Sequence, residues 1–295
     1  MNDIIKRSYL QRLFTPYHKK NGELTCYLLQ YVSGDGNELK EKFWAPHSSS
    51  RMAFELYSGL NGTVQELQFE FQLPGLSSGG KGPNMDVFIE TDHEIIFIES
   101  KYSEKANLHY IDNGYLSKAY YDKAPYGKHQ MNLCSRYANN EWGEKFAEFC
   151  TEWEKEMEKN KWHKGCDWFE PKQETCHMSG ILLWLFNSVN QDRIRGKHIC
   201  LYNVYWRIGE IDGNPEMPQR FEDMANKYLR EIIKESKKDI GIKDFEIGYY
   251  TVQDVLQTPE LLSPEIHSLG SDVNERIEEF RKLAQGQTRK SFKAK

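Results

Sequence analysis

Apolar and polar positions along the chain repeat with two periods, two and about 3.6 residues, which separate strands from helices. Glu66-Leu-Gln-Phe-Glu-Phe-Gln-Leu73 alternates without a break. Leu67, Phe69, Phe71 and Leu73 fall on one face and Glu66, Gln68, Glu70 and Gln72 on the other, which predicts a strand with one polar face, ended by Pro74. Val87-Phe-Ile89 and Ile95-Ile-Phe-Ile98 are apolar on both faces, the signature of central strands. The polar tip Thr91-Asp-His-Glu94 joins them into a predicted β-hairpin. Helical spacing appears over 51–57, behind the serines of His47-Ser-Ser-Ser50, and over 127–137. It recurs over 142–157, on Trp142, Phe146, Phe149, Cys150, Trp153 and Met157, and over 219–236, on Phe221, Met224, Tyr228 and Ile232. Thr175 to Ser188 reads as a more fully apolar, buried helix, His198 to Ile208 and Phe245 to Val252 as strands. A last helix is expected from Asp272, with Asp272 and Glu275 in capping-box positions.

The hairpin carries the candidate chemistry. With Asp92-His93 as a two-residue loop, Thr91 faces Glu94 and Asp86 faces Glu99; a four-residue loop in which Glu90 faces Ile95 gives the same register. Lys101 then shares the face of Glu99. Opposed Cβ atoms lie roughly 4.5–5.5 Å apart, within reach of one divalent cation. Like charges so placed destabilise a sheet unless something neutralises them. Hydration at a solvent-exposed strand end would be one answer. The doubly apolar strands favour another, a buried end where a charge needs a partner or a metal.

Composition narrows the classes. With 295 residues, 28% of them charged and 13% aromatic, the chain can bury a large core. A net charge of −5 does not advertise a nucleic-acid binder, although a basic cleft can sit in an acidic exterior. The longest apolar run, Ile181 to Phe186, is far short of a membrane span, and the start lacks a signal-peptide pattern, so a cytoplasmic location is expected. Six scattered cysteines suit reduced thiols. His163-x-x-Cys166 and Cys176-His177 are too loosely spaced for a structural zinc, and none is expected. The Gly75 to Pro83 loop, with Lys81, is not a phosphate-binding loop of the Walker type. Six tyrosines among lysines between Tyr102 and Tyr126 read as a half-buried connection before a nucleic-acid groove.

Pro83-Asn-Met-Asp86, twelve intervening residues, and Glu99-Ser-Lys101 resemble the PD-(D/E)xK nuclease superfamily, of restriction-endonuclease-like fold. Met85 stands where that family's proline is usual. The resemblance extends over the element order of residues 48–208. It implies an α/β restriction-endonuclease-like core: a central mixed β-sheet of about four to six strands, flanked by helices and carrying helical elaborations. One domain is expected over 1–285, with its core at 48–208 and an elaboration at 209–285, then a basic tail at 286–295. The implied activity is Mg²⁺-dependent hydrolysis of DNA phosphodiester bonds by an endonuclease of restriction or repair type, with Mn²⁺ as a substitute. Asp86, Glu99 and the main-chain carbonyl of Ser100 would hold the metal, with Glu55 or Glu70 as a third acid. Lys101 would serve the attacking water. Gln130 resembles a glutamine that some members place on the helix after the ExK strand; His129 beside it is the weaker candidate. DNA is the expected partner, a homodimer one expected assembly, and a membrane is not. The competing class is a nucleic-acid-binding or scaffold protein of the same fold without catalysis, against which the complete Asp-Glu-Lys set argues.

Overall fold

A computed structural model describes residues 30, 48–57, 60, 64–74, 82–101, 142–162, 168–205, 215–236, 240–252 and 254, apart from the side chains of residues 51 and 55. The loop with Lys81, the Tyr102–Tyr126 stretch, the helix expected over 127–137 with His129 and Gln130, and His163 and Cys166 lie outside these residues. So do the helix expected from Asp272 and the basic tail.

Five strands form one mixed sheet in sequence order: β1 (Glu66–Gln72), β2 (Asn84–Glu90), β3 (Glu94–Lys101), β4 (His198–Tyr205) and β5 (Asp244–Thr251). The first three are antiparallel; β4 runs parallel to β3 and β5 parallel to β4. The helices are α1 (Ser49–Tyr57), α2 (Gly143–Asn160), α3 (Pro171–Leu185), the short α4 (Gln191–Ile194) and α5 (Met217–Glu235). Thus α3 starts four residues earlier than its apolar run, with Pro171 in the first turn, where a missing N–H costs nothing. The sheet is the α/β core that the resemblance implies, with five described strands.

Cross-strand rows explain the layering. Phe88, Phe97, Leu201 and Ile247 are successive ladder partners, as are Ile95, Ile199 and Phe245. Both rows are buried in one cluster with Phe146, Phe149 and Trp153 of α2, Ile181 and Leu185 of α3, and Phe221 and Leu229 of α5. Alternation turns Val87, Ile89, Ile96 and Ile98 to the other face, where α1 packs on β2 and β3. Burial on both faces is what the unbroken apolar runs of the hairpin require. Gly180 brings α3 close to the hairpin: a Cβ there would stand 3.0 Å from the Leu73 side chain and 3.1 Å from Pro83. No helix among the described residues is long and apolar enough to cross a membrane, and Cys150, Cys176 and Cys200 are not in disulfides.

One expectation is corrected. Leu67, Phe69, Phe71 and Leu73 do not share a face, because Glu70 has φ of 53°, a left-handed conformation that non-glycine residues rarely adopt. Phe69 packs on Phe54 of α1 (ring centroids 5.4 Å), whereas Phe71 stacks on Phe88 (4.4 Å) and lies edge-on to Trp184 of α3. Leu73 follows Phe71 to the α3 side. The alternation is perfect in sequence, yet the backbone turns over at its fifth residue.

The closed end of the hairpin is held by charge. The Thr91 N–H donates to the Glu94 carbonyl, and the Thr91 hydroxyl accepts from the His93 and Glu94 N–H groups. Glu90, 7% exposed, takes Lys197 Nζ on Oε1 (2.6 Å) and Arg193 on Oε2, and Arg193 also reaches Glu66. Removing one member of such a buried set strands the rest. Glu90→Ala is expected to cost about 3–5 kcal/mol of unfolding free energy, measured by urea denaturation.

Candidate active site

Where the apolar rows end, at the carboxyl ends of β3 and β4, the next row on the α3 face is polar. Glu99 pairs with Asn203 and Asn203 with Tyr249. On the other side of Glu99, the β2–β3 ladder runs in the phase that opposes Asp86 to Glu99, but its last pair is Val87 with Ile98. At the next position the Asp86 carboxylate itself takes over: its Oδ2 accepts the Ser100 N–H at 2.6 Å. The strand end is therefore closed by a side chain, and Asp86 is fixed beside Glu99.

Glu99 is 4% exposed, so hydration does not explain its charge. Three side chains surround it. Lys101 Nζ lies 2.8 Å from Oε1, and the Gln173 amide donates to the same oxygen at 2.6 Å. His177 Nε2 stands 3.7 Å from Oε2. Gln173 and His177 are four residues apart on α3, hence on one helix face. Burial holds the His177 imidazole below its ordinary pKa, so this contact is of a neutral ring, and its buried Nδ1 has no hydrogen-bond partner.

The carboxylates strain against one another. Asp86 is pushed well above the usual carboxylate range, first by burial and then by the charges of Glu99 and Glu70, with Lys101 and the Ser100 N–H pulling the other way. Behind Glu99, burial pushes Glu174 up to about 8, although the Asn203 amide donates to its Oε2 at 2.8 Å. A cation beside Asp86 and Glu99 would relieve the first conflict.

The sequence-predicted residues thus divide. Asp86, Glu99, Ser100 and Lys101 come together at one strand end, and the charge of Glu70 reaches Asp86. Glu55 lies on α1, with its side chain outside the described residues, and Gln130 lies outside them altogether. Gln173, Glu174, His177 and Asn203 were not singled out as site residues. Their signal is a polar residue where the pattern is apolar: Asn203 in the middle of Ile199 to Val204, and Gln173, Glu174 and His177 around the start of an apolar helix. Among the described residues, no three His, Cys, Asp or Glu side chains gather closely enough to hold a metal ion alone. A hard ion held by Asp86 and Glu99 would need water, main-chain or substrate oxygens as well, which is the ordinary condition of Mg²⁺.

The raised pKa of Asp86, from desolvation first and its acidic neighbours second, has a stability consequence. An acid whose pKa is raised on folding weakens the fold as pH climbs from its unfolded pKa through its folded one. In a chelator, the wild-type melting temperature should fall over that interval above pH 4. Asp86→Asn should flatten that slope and melt higher at pH 8, as read by circular dichroism.

The model of the family described as Restriction Endonuclease associating with ARP (REase-ARP) matches residues 46–164, which span α1, the hairpin with Asp86, Glu99 and Lys101, and α2. No curated protein and no solved structure matches the chain. The match, with the mixed sheet, supports a restriction-endonuclease-like family for this chain, consistent with its resemblance to the PD-(D/E)xK nucleases.

Proposed function

We propose that the chain is a divalent-metal-dependent nuclease that hydrolyses phosphodiester bonds of DNA, with Asp86, Glu99 and Lys101 at its reacting centre. The observation that carries this reading is the buried Glu99 with the partly buried Asp86 beside it at one strand end, Asp86 raised in pKa by desolvation and then by its acidic neighbours, and Lys101 in contact with Glu99. Structural ion pairs are built to neutralise one another. Among the described residues, Asp86, Glu99 and Glu70 outnumber Lys101 here.

The donor set suits Mg²⁺ or Mn²⁺: Asp86 and Glu99 carboxylate oxygens, the Ser100 carbonyl, and Glu70 or Glu55 as a further acid. Bound there, such an ion supplies an acidified water and neutralises charge on a phosphate. The protein's own groups do the rest. Gln173 fixes Glu99 Oε1, leaving Oε2 turned toward neutral His177. Lys101 Nζ, anchored on Glu99, can hold the attacking water by a hydrogen bond and meet the negative charge that develops on the phosphate oxygens. Apolar strands keep bulk water from Glu99.

A catalytically silent nucleic-acid-binding protein is the second reading, favoured by the absence, among the described residues, of three gathered metal-binding side chains. Digestion separates the two. Plasmid and linear DNA incubated with Mg²⁺ or Mn²⁺ should be cut, and chelation should stop it. Asp86→Ala and Lys101→Ala should each lower the rate by about 10²–10⁴-fold while the fold, read by circular dichroism, persists. Cleavage undiminished in both variants refutes this site.

A further inference from the structure

One row beyond the carboxylates lies an aromatic pair that hydrolysis itself does not use. Tyr205 is the ladder partner of Lys101, so both side chains leave the same face of the sheet about 4.8 Å apart. Trp168, just ahead of α3, lies flat on Tyr205, with ring centroids 3.7 Å apart and planes within 3°. Aromatic pairs in proteins favour tilted or offset geometries, roughly 4.5–7 Å between centroids. Phe88–Phe97 at 5.3 Å and Trp153–Phe221 at 5.0 Å in the core are edge-on, and the stacked core pair Phe71–Phe88 is wider, at 4.4 Å and 16°. The Trp168–Tyr205 spacing is instead close to the roughly 3.4 Å rise between stacked bases. Trp168 and Tyr205 are both only partly buried residues. Phe169 and Tyr249 back Trp168 at 6.0 and 5.3 Å. The indole N–H of Trp168 is buried without an acceptor, so stacking rather than a hydrogen bond sets the ring's position.

We infer that the Trp168–Tyr205 stack is a platform for an unpaired nucleobase of the substrate, beside the phosphate held at Asp86, Glu99 and Lys101. The inference rests on the nuclease reading and names its substrate class. The two rows match the two halves of a nucleotide: charged groups for the phosphate, flat rings for the base. A base inside an intact duplex has both faces covered by its neighbours and none to offer. The platform therefore selects a single-stranded or frayed nucleotide over an interior base pair.

The test uses the full chain in chelator, so that nothing is cut, with a single-stranded oligonucleotide carrying 2-aminopurine and a blunt duplex of the same sequence. Binding of the single strand should quench 2-aminopurine. Trp168→Ala should weaken that binding by about 5- to 100-fold, whereas Trp168→Phe, which keeps a ring and guards against loss of fold, should stay within about threefold. Blunt-duplex binding should change by less than about twofold in either variant. Single-strand binding by Trp168→Ala equal to wild type overturns the platform, as does equal weakening on both substrates. The two readings fail separately. Trp168-dependent binding of single strands without cleavage in Mg²⁺ or Mn²⁺ refutes the nuclease and supports the platform. Asp86-dependent cleavage with no effect of Trp168 refutes the platform alone.

Discussion

The repulsion between Asp86 and Glu99 is what the groups around them answer to. Antiparallel pairing of β2 and β3 brings the two acids to one strand end, where Glu99 is buried and Asp86 partly so, which leaves little water to screen them. Lys101 and Gln173 are drawn to Glu99, the Ser100 N–H is drawn to Asp86, and proton affinity rises where the compensation falls short. Glu174, one layer farther back, shows the same response. A fold selected for stability alone would fill these positions with the apolar residues of the rows beneath. Keeping acids here suits the proposed cation site.

The architecture sets this conflict at a defined place. Cross-strand rows are apolar until they reach the carboxyl ends of β3 and β4, and there the last two rows on the α3 face, Glu99–Asn203 and Lys101–Tyr205, turn polar or aromatic. Helix α3 is seated by Gly180 against Leu73 and Pro83, which lets its first two turns reach Glu99 through Gln173 and His177. The ion network around Glu90 fastens the opposite end of the hairpin. Among the described residues, Lys197 and Arg193 neutralise one end, whereas the other sets Asp86, Glu99 and Glu70 against Lys101.

Much of this was legible because strand pairing is local. Thr91 and Glu94 mark the turn, the turn sets the register, and the register decides which acids meet. The left-handed turn at Glu70 was not legible: its alternating neighbours satisfy the strand pattern whichever way the peptide flips. Gln173, His177 and Asn203 were hidden for a different reason. Each reaches Glu99 or its neighbour Glu174 only after a parallel crossover has carried α3 and β4 back across the sheet, and such contacts leave no spacing in the sequence. The stack of Trp168 on Tyr205 joins residues from either side of α3 and was invisible for the same reason.

A cation is what Asp86 and Glu99 are proposed to lack. Calorimetric titration of the full chain with Mn²⁺ tests this without any substrate. It should show binding in the wild type that weakens as pH is lowered and disappears in Asp86→Ala and Glu99→Ala, since a ligand must shed its proton to bind. Mn²⁺ binding that survives both substitutions, or a wild type that takes up no metal at any pH, would contradict it.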